Sequence, residues 1–183
     1  MTTLARKNIQ DLKPYEPGKP IKELERELGI KEKDIIKLAS NENPIGPSPL
    51  AVRAISMAIK SINRYPDGSA FYLKRDLSKA INLKPENIVL GNGSDELIDI
   101  IIKTFVEEDE NIITSDVTFL EYEIIAKVNN RSIYTVPLKY FKYDLDAIKR
   151  KIDKKTKLIF IANPNNPTGT YVTKQELEDF MLD

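Results

Sequence analysis

Leu158-Ile-Phe-Ile-Ala162 runs straight into Asn163-Pro-Asn-Asn-Pro-Thr-Gly169. Five apolar residues with strand character break abruptly into a segment of prolines, asparagines and a glycine. A buried strand ending this way leaves amide side chains at its carboxyl tip, the edge where open α/β sheets bind ligands. Each proline fixes φ and removes a backbone donor, so the loop is stiff and suited to holding one asparagine amide against a flat polar ligand. By its own chemistry the segment also reads as a plain turn.

Working outward, the pattern around this junction is regular. Ile88-Val-Leu90, Asn111-Ile-Ile-Thr114 and Ser132–Val136 read as further strands. Helical spacing appears at Ser94–Phe105, with Leu97, Ile98, Ile101, Ile102 and Phe105 on the buried face, and again at Phe119–Val128 and Leu145–Ile152. Thr173 caps a last helix, with Glu176 three residues on completing a capping box. Strand–helix alternation of this kind predicts an α/β fold with a mostly parallel sheet flanked by helices. The last helix calls for a further strand, so the sheet reads as unfinished.

Upstream, Pro14, Pro17, Gly18 and Pro20 predict an extended arm over residues 1–20, followed by a helix at Ile21–Leu28 that Gly29 stops. Ile35–Leu38 reads as a short strand, and Ser48 with Pro49 starts a helix whose apolar face runs through Val52, Ile55 and Ile59. A second helix presents Leu73, Leu77 and Ala80 on one face.

Composition narrows the chemistry. Across 183 residues, Lys+Arg and Asp+Glu are both 28, a neutral balance that speaks against a nucleic-acid partner. The chain has no Cys and no His, which excludes thiolate chemistry, serine–histidine catalysis and His-based metal sites. No metal site is expected. Acid–base work falls to Lys, Tyr, Asp, Glu or a cofactor. No apolar stretch approaches membrane-spanning length and the start lacks a signal-peptide core, so no membrane role and a cytoplasmic location are expected.

Gly91-Asn-Gly-Ser-Asp-Glu96 lies between an expected strand and the helix at Ser94. Glycines and a helix amino terminus make a phosphate cradle. A dinucleotide-binding turn competes, since Gly91-x-Gly93 fits its opening and Asp116 follows at a suitable distance, but Glu96 stands where its third glycine belongs. An ordinary capping turn is the third reading. Phe119 falls at the same carboxyl edge as Ser94 and Asn166, where a ring can stack on a planar ligand or simply join the core. Together these residues suit a phosphorylated aromatic cofactor.

Four segments in order, Leu38-Ala-Ser-Asn-Glu-Asn-Pro-Ile-Gly-Pro47, Arg64-Tyr-Pro-Asp67, Gly91-Asn-Gly-Ser-Asp-Glu-Leu97 and Asn163-Pro-Asn-Asn-Pro-Thr-Gly169, resemble the histidinol-phosphate aminotransferases. These belong to the fold-type I pyridoxal-phosphate enzymes. The resemblance covers essentially the whole chain. It implies pyridoxal 5'-phosphate as cofactor, a homodimer, and small amino acid and oxo acid substrates: histidinol phosphate with 2-oxoglutarate, in histidine biosynthesis.

The resemblance implies a role for each matching residue. Ser94 and Asp95 lie at the cofactor phosphate, Phe119 stacks on the pyridine face, and Asn166 donates to the phenolic oxygen. Tyr65 reaches the phosphate across the dimer, and Asn43 helps form the substrate pocket. Val117 departs from the family's usual proline. Family members are about twice this length, and no lysine here matches the Schiff-base position. The resemblance therefore covers the amino-terminal half: it implies an arm and small-domain segment over residues 1–47 and an incomplete large domain over 48–183, and the chain alone is expected to be inactive. Aromatic amino acid aminotransferases and threonine-phosphate decarboxylases share much of this pattern. A non-catalytic module binding a phosphorylated ligand is the reading from a different class.

Overall fold

The computed structural model describes residues 4–10, 12, 13, 15 and 18–182. Pro14, Pro17 and Asp183 lie outside the described residues. The chain divides into two compact units, one formed by Met1–Tyr15 with Leu90–Asp183 and one by Glu16–Val89.

The first unit is built on β1 (Asn111–Ser115), whose five residues are all buried. Side chains alternate across a strand, so Ile112 and Ile113 face opposite ways and each needs its own cover. Ile112 packs with Ile98, Ile102 and Val106 from α5 (Ser94–Phe105) and its exit, and with Ile125 and Ala126 of α6 (Glu121–Val128). Ile113 packs with Val136, Tyr143, Val172 and Ile148 of α7 (Leu145–Lys151), against which Phe180 of α8 (Lys174–Leu182) also lies. Helices thus cover both faces. β2 (Ser132–Val136) and β3 (Thr156–Ile159) flank β1 in the order β2-β1-β3, both parallel to it.

Asn111 anchors the start of the sheet. Its amide donates to Asp153 Oδ1 (2.9 Å) and accepts from Thr156 Oγ1 (2.9 Å). At the other end, the β3 ladder begins earlier and stops sooner than the apolar run Leu158–Ala162 predicts. Phe160 N–H still donates to Ile113 O (2.9 Å), but Ala162 N–H turns to the hydroxyl of Tyr143 (3.1 Å). A side chain takes over from the strand there.

The expected arm contains a short helix, α1 (Lys7–Gln10). Beside it, the Arg6 guanidinium donates to Val128 O (2.9 Å) and the Asn8 amide to Lys127 O (2.7 Å). Both bonds add to the capping of the end of α6, where Lys127 O also accepts from Asn130 N–H (2.9 Å).

The second unit holds α2 (Ile21–Leu28), α3 (Pro49–Ala58) and α4 (Phe71–Ile81). Gly29 closes α2 at φ 65°, as the helix-stop reading expects. Pro49 opens α3 at its first turn, but the Ser48 side chain makes no capping bond, and Val52, Ile55 and Ile59 stay exposed. Ile35–Leu38 and Ile88–Leu90 are not strands. A strand requires a ladder, and among the described residues neither segment pairs with another strand.

Two outcomes follow from these elements. The Glu176 carboxyl is held at about 2, against an ordinary 4.5, by Lys142 (2.6 Å) and then by the N–H and hydroxyl of Thr173 in the capping box. A depressed folded value stabilises above pH 4.5 and is lost as pH falls toward 2. Urea unfolding should therefore show Glu176→Gln less stable than wild type at neutral pH, the gap closing across that window and shrinking with salt, since the pair is exposed. Gly93, which precedes α5, sits at φ 87°, ψ 175°, where a Cβ meets no neighbour but the backbone conformation is strained for any other residue. Gly93→Ala should cost about 1–3 kcal/mol in the same measurement.

Candidate functional site

The loops leaving the carboxyl ends of β1 and β3 converge with the amino terminus of α5 on one cleft. It encloses about 430 Å³ and is lined by Ser94, Leu97, Ile98 and Ile101 of α5, by Phe119 and Tyr122, and by Phe160, Ala162 and Asn166. Of the residues expected from sequence, Ser94, Phe119 and Asn166 come together here. Asp95 follows Ser94, whose hydroxyl lies 3.4 Å from Asp95 Oδ1, but does not itself line the cleft.

The polar end is the start of α5. Gly93 has no side chain to cap the helix, so the first-turn N–H groups face outward at the positive end of the dipole. Open space surrounds the position where a Cβ on Gly93 would stand. Glu96, which occupies the third-glycine position of a dinucleotide turn, reaches back to accept from the Asn92 N–H. Its side chain holds the Gly91–Gly93 turn in shape, which is a capping function.

The apolar wall is aromatic. Phe119 meets Tyr122 edge-on (centroids 5.6 Å, 87°), and Tyr122 stacks flat on Phe160 (4.5 Å, 4°). Tyr122 and Phe160 were not singled out from the sequence. The three-residue spacing from Phe119 to Tyr122 is the signal that points to the first, whereas Phe160 reads only as strand core. Burial pushes the Tyr122 hydroxyl up, with Tyr143 adding to it. Burial likewise raises the Glu121 carboxyl, and the Asp95 charge adds to the shift.

In the Asn-Pro-Asn-Asn-Pro-Thr-Gly loop the two central asparagines divide the work. Asn166 is exposed at the cleft, while Asn165 is buried. The Asn165 amide donates to Val117 O (3.0 Å) and Thr168 Oγ1 (2.8 Å), and its carbonyl accepts from Thr118 Oγ1 (2.8 Å). Asn163 also braces the loop, donating to Val172 O (3.0 Å) and accepting from Val172 N–H (3.0 Å).

Tyr65 and Asn43 belong to the other unit. Tyr65 is fully exposed. Asn43 folds its own turn, accepting from Ile45 N–H (3.0 Å), with its amide 3.4 Å from Gly46 O. A larger cleft of about 760 Å³ lies between α7 and α8, around Lys142, Tyr171 and Glu176, and contains none of the expected site residues. Among the described residues no acidic cluster is arranged to hold a metal ion, and no helix is long and apolar enough to cross a membrane.

With this geometry in hand, known proteins identify the fold. The aminotransferase class I and II family matches residues 33–182. The histidinol-phosphate aminotransferase of Moorella thermoacetica is 47% identical over 176 residues, covering 96% of this chain and 45% of that protein. That of Mannheimia succiniciproducens is 49% identical over 183 residues, covering 99% of this chain and 50% of its own length. The crystal structure of histidinol-phosphate aminotransferase from Sinorhizobium meliloti in complex with pyridoxal-5'-phosphate superposes with a TM-score of 0.85 at 26% identity, over 100% of this chain and 48% of the other. The chain spans about half the length of the curated relatives it matches. On its sequence and its fold, the chain belongs to the aminotransferase class I and II family.

Proposed function

We propose that this chain supplies the phosphate and ring-stacking part of the cofactor cleft in a pyridoxal-phosphate-dependent histidinol-phosphate transaminase. The enzyme exchanges nitrogen between histidinol phosphate and 2-oxoglutarate in histidine biosynthesis. The observation that carries the reading is the single cleft joining an uncapped helix start, an aromatic wall and an asparagine amide. The donor set fits the cofactor: room for a phosphate beside Gly93, an aromatic ring at Phe119, and the Asn166 amide, with Phe119 and Asn166 lining the same cleft as Ser94. The names of the relatives supply the substrate.

Each residue then has a chemical task. The α5 N–H groups and the Ser94 hydroxyl hold the phosphate, with Asp95 beside them ordering the helix start. Phe119 fixes the ring plane and excludes water from that face. Asn166 donates to the phenolic oxygen and favours its ionised form. Tyr65 reaches the phosphate from the partner of a homodimer, and Asn43 helps shape the substrate pocket. When bound, pyridoxal phosphate supplies the carbonyl that takes up the amino nitrogen and the ring that accepts electrons from Cα; the protein orients and tunes it. No lysine is among the described residues that line the cleft, and we assign the proton transfer at Cα to a lysine in the remaining half of the enzyme. The whole enzyme works in the cytoplasm, with residues 1–47 as arm and small-domain segment and 48–183 opening the large domain.

Glutamate formation from histidinol phosphate and 2-oxoglutarate by the full-length protein is the direct test. Faster turnover of phenylalanine or tyrosine, or release of carbon dioxide from threonine phosphate, would replace the substrate assignment while keeping the cofactor. Phe119→Ala should weaken pyridoxal phosphate binding about two- to tenfold in an absorbance titration, the range of one lost ring contact. The 183-residue chain alone should give no glutamate. Turnover by it would show that the lysine role has been misassigned.

A further inference from the structure

Each of the three strands sends one polar side chain from its exit loop into a single hydrogen-bonded chain behind the cleft. Thr118 comes after β1, Tyr143 after β2 and Asn165 after β3. Tyr143 and Asn165 are buried, and none of the three lines the cleft. Thr118 Oγ1 lies 2.5 Å from the Tyr143 hydroxyl and 2.8 Å from Asn165 Oδ1.

The protons can be placed in only one order. The Asn165 carbonyl can only accept, so Thr118 gives it its one proton, and Tyr143, which accepts from Ala162 N–H, gives its own proton to Thr118. The Asn165 amide passes on to Val117 O and Thr168, Thr168 donates to Thr170 (2.8 Å), and Thr170 ends the run on Phe141 O (2.6 Å). Every hydroxyl uses its one proton. Reversing the Thr118 link leaves the carbonyl of buried Asn165 without its donor, which costs more than a hydrogen bond gains.

Two cleft residues from the strand-exit loops are the immediate neighbours of members of this chain: Phe119 follows Thr118, and Asn166 follows Asn165. We propose that Tyr143, Thr118 and Asn165 are positioning residues that hold Phe119 and Asn166 in one fixed relation, setting the stacking face and the amide together. This rests on the cofactor reading above. Removing one hydroxyl frees the loops from each other, and the amide no longer stays on the phenolic oxygen.

The test uses the full-length protein, with pyridoxal phosphate as probe. Three quantities are read for Tyr143→Phe, Thr118→Val and Thr118→Ser: cofactor Kd, the pH midpoint of the bound cofactor's visible absorption, and melting of the cofactor-free form. Tyr143→Phe and Thr118→Val should raise Kd about two- to tenfold, the range of one lost hydrogen bond. They should also move the absorption midpoint upward, because the ionised phenolic oxygen loses its donor. Thr118→Ser keeps the hydroxyl and should stay near wild type in both. An unchanged midpoint in Tyr143→Phe overturns the proposal whatever happens to Kd or melting, since a merely structural role moves only the latter. Serine behaving like valine overturns it as well. Should Thr118→Val fail to fold, Tyr143→Phe decides alone, as it removes one oxygen and leaves the ring. A wild-type protein that takes up no pyridoxal phosphate overturns the cofactor reading instead, and the two failures stay distinct.

Discussion

Burial of β1 on both faces is the constraint from which the rest of the sheet unit follows. Five successive residues leave water, so every backbone N–H and C=O among them must pair within the sheet. Two parallel neighbours meet that demand, and parallel neighbours require crossovers, which α6 and α7 provide. The isoleucines at 112 and 113 then recruit helices to opposite faces. All three strands consequently release their loops at one edge. The cleft sits there because that edge is where irregular backbone, polar side chains and a helix start can meet without disturbing the core.

That edge divides its labour between adjacent residues. Thr118 and Asn165 turn toward the buried hydrogen-bonded chain, while Phe119 and Asn166 turn toward the cleft. The arrangement solves a general problem of loop-borne sites. A side chain on a loop is precise only if its neighbours are anchored, and here the anchors are hydrogen bonds to the loops beside it. Phe119 gains further support from the Tyr122–Phe160 stack, which ties α6 to the end of β3.

The α5 amino terminus presents its N–H groups with no side chain to cap them, and the glutamate that shapes its turn is committed to Asn92. Elsewhere the ion pairs lie on the surface, and that of Lys142 with Glu176 supports the capping box at the start of α8.

Local pattern alone determined the parts whose cause is local. Gly29 stops α2 because only a residue without Cβ takes that left-handed turn cheaply, and the Thr173–Glu176 box starts α8 because its partners are three residues apart. The alternation of strand and helix, and the placing of Ser94, Phe119 and Asn166 at one edge, were legible for the same reason. What the sequence left open depended on partners far along the chain. Ile88–Leu90 and Ile35–Leu38 have strand composition, but a strand also needs a partner far along the chain, and among the described residues neither segment has one. The three asparagines of the 163–169 loop look alike in sequence. Only the packed structure separates buried Asn165, which spans to Val117 and Thr118, from exposed Asn166 at the cleft. Tyr143 carried no signal at all, because its partners, Thr118 and Ala162, meet it only once three strands have been brought into one sheet.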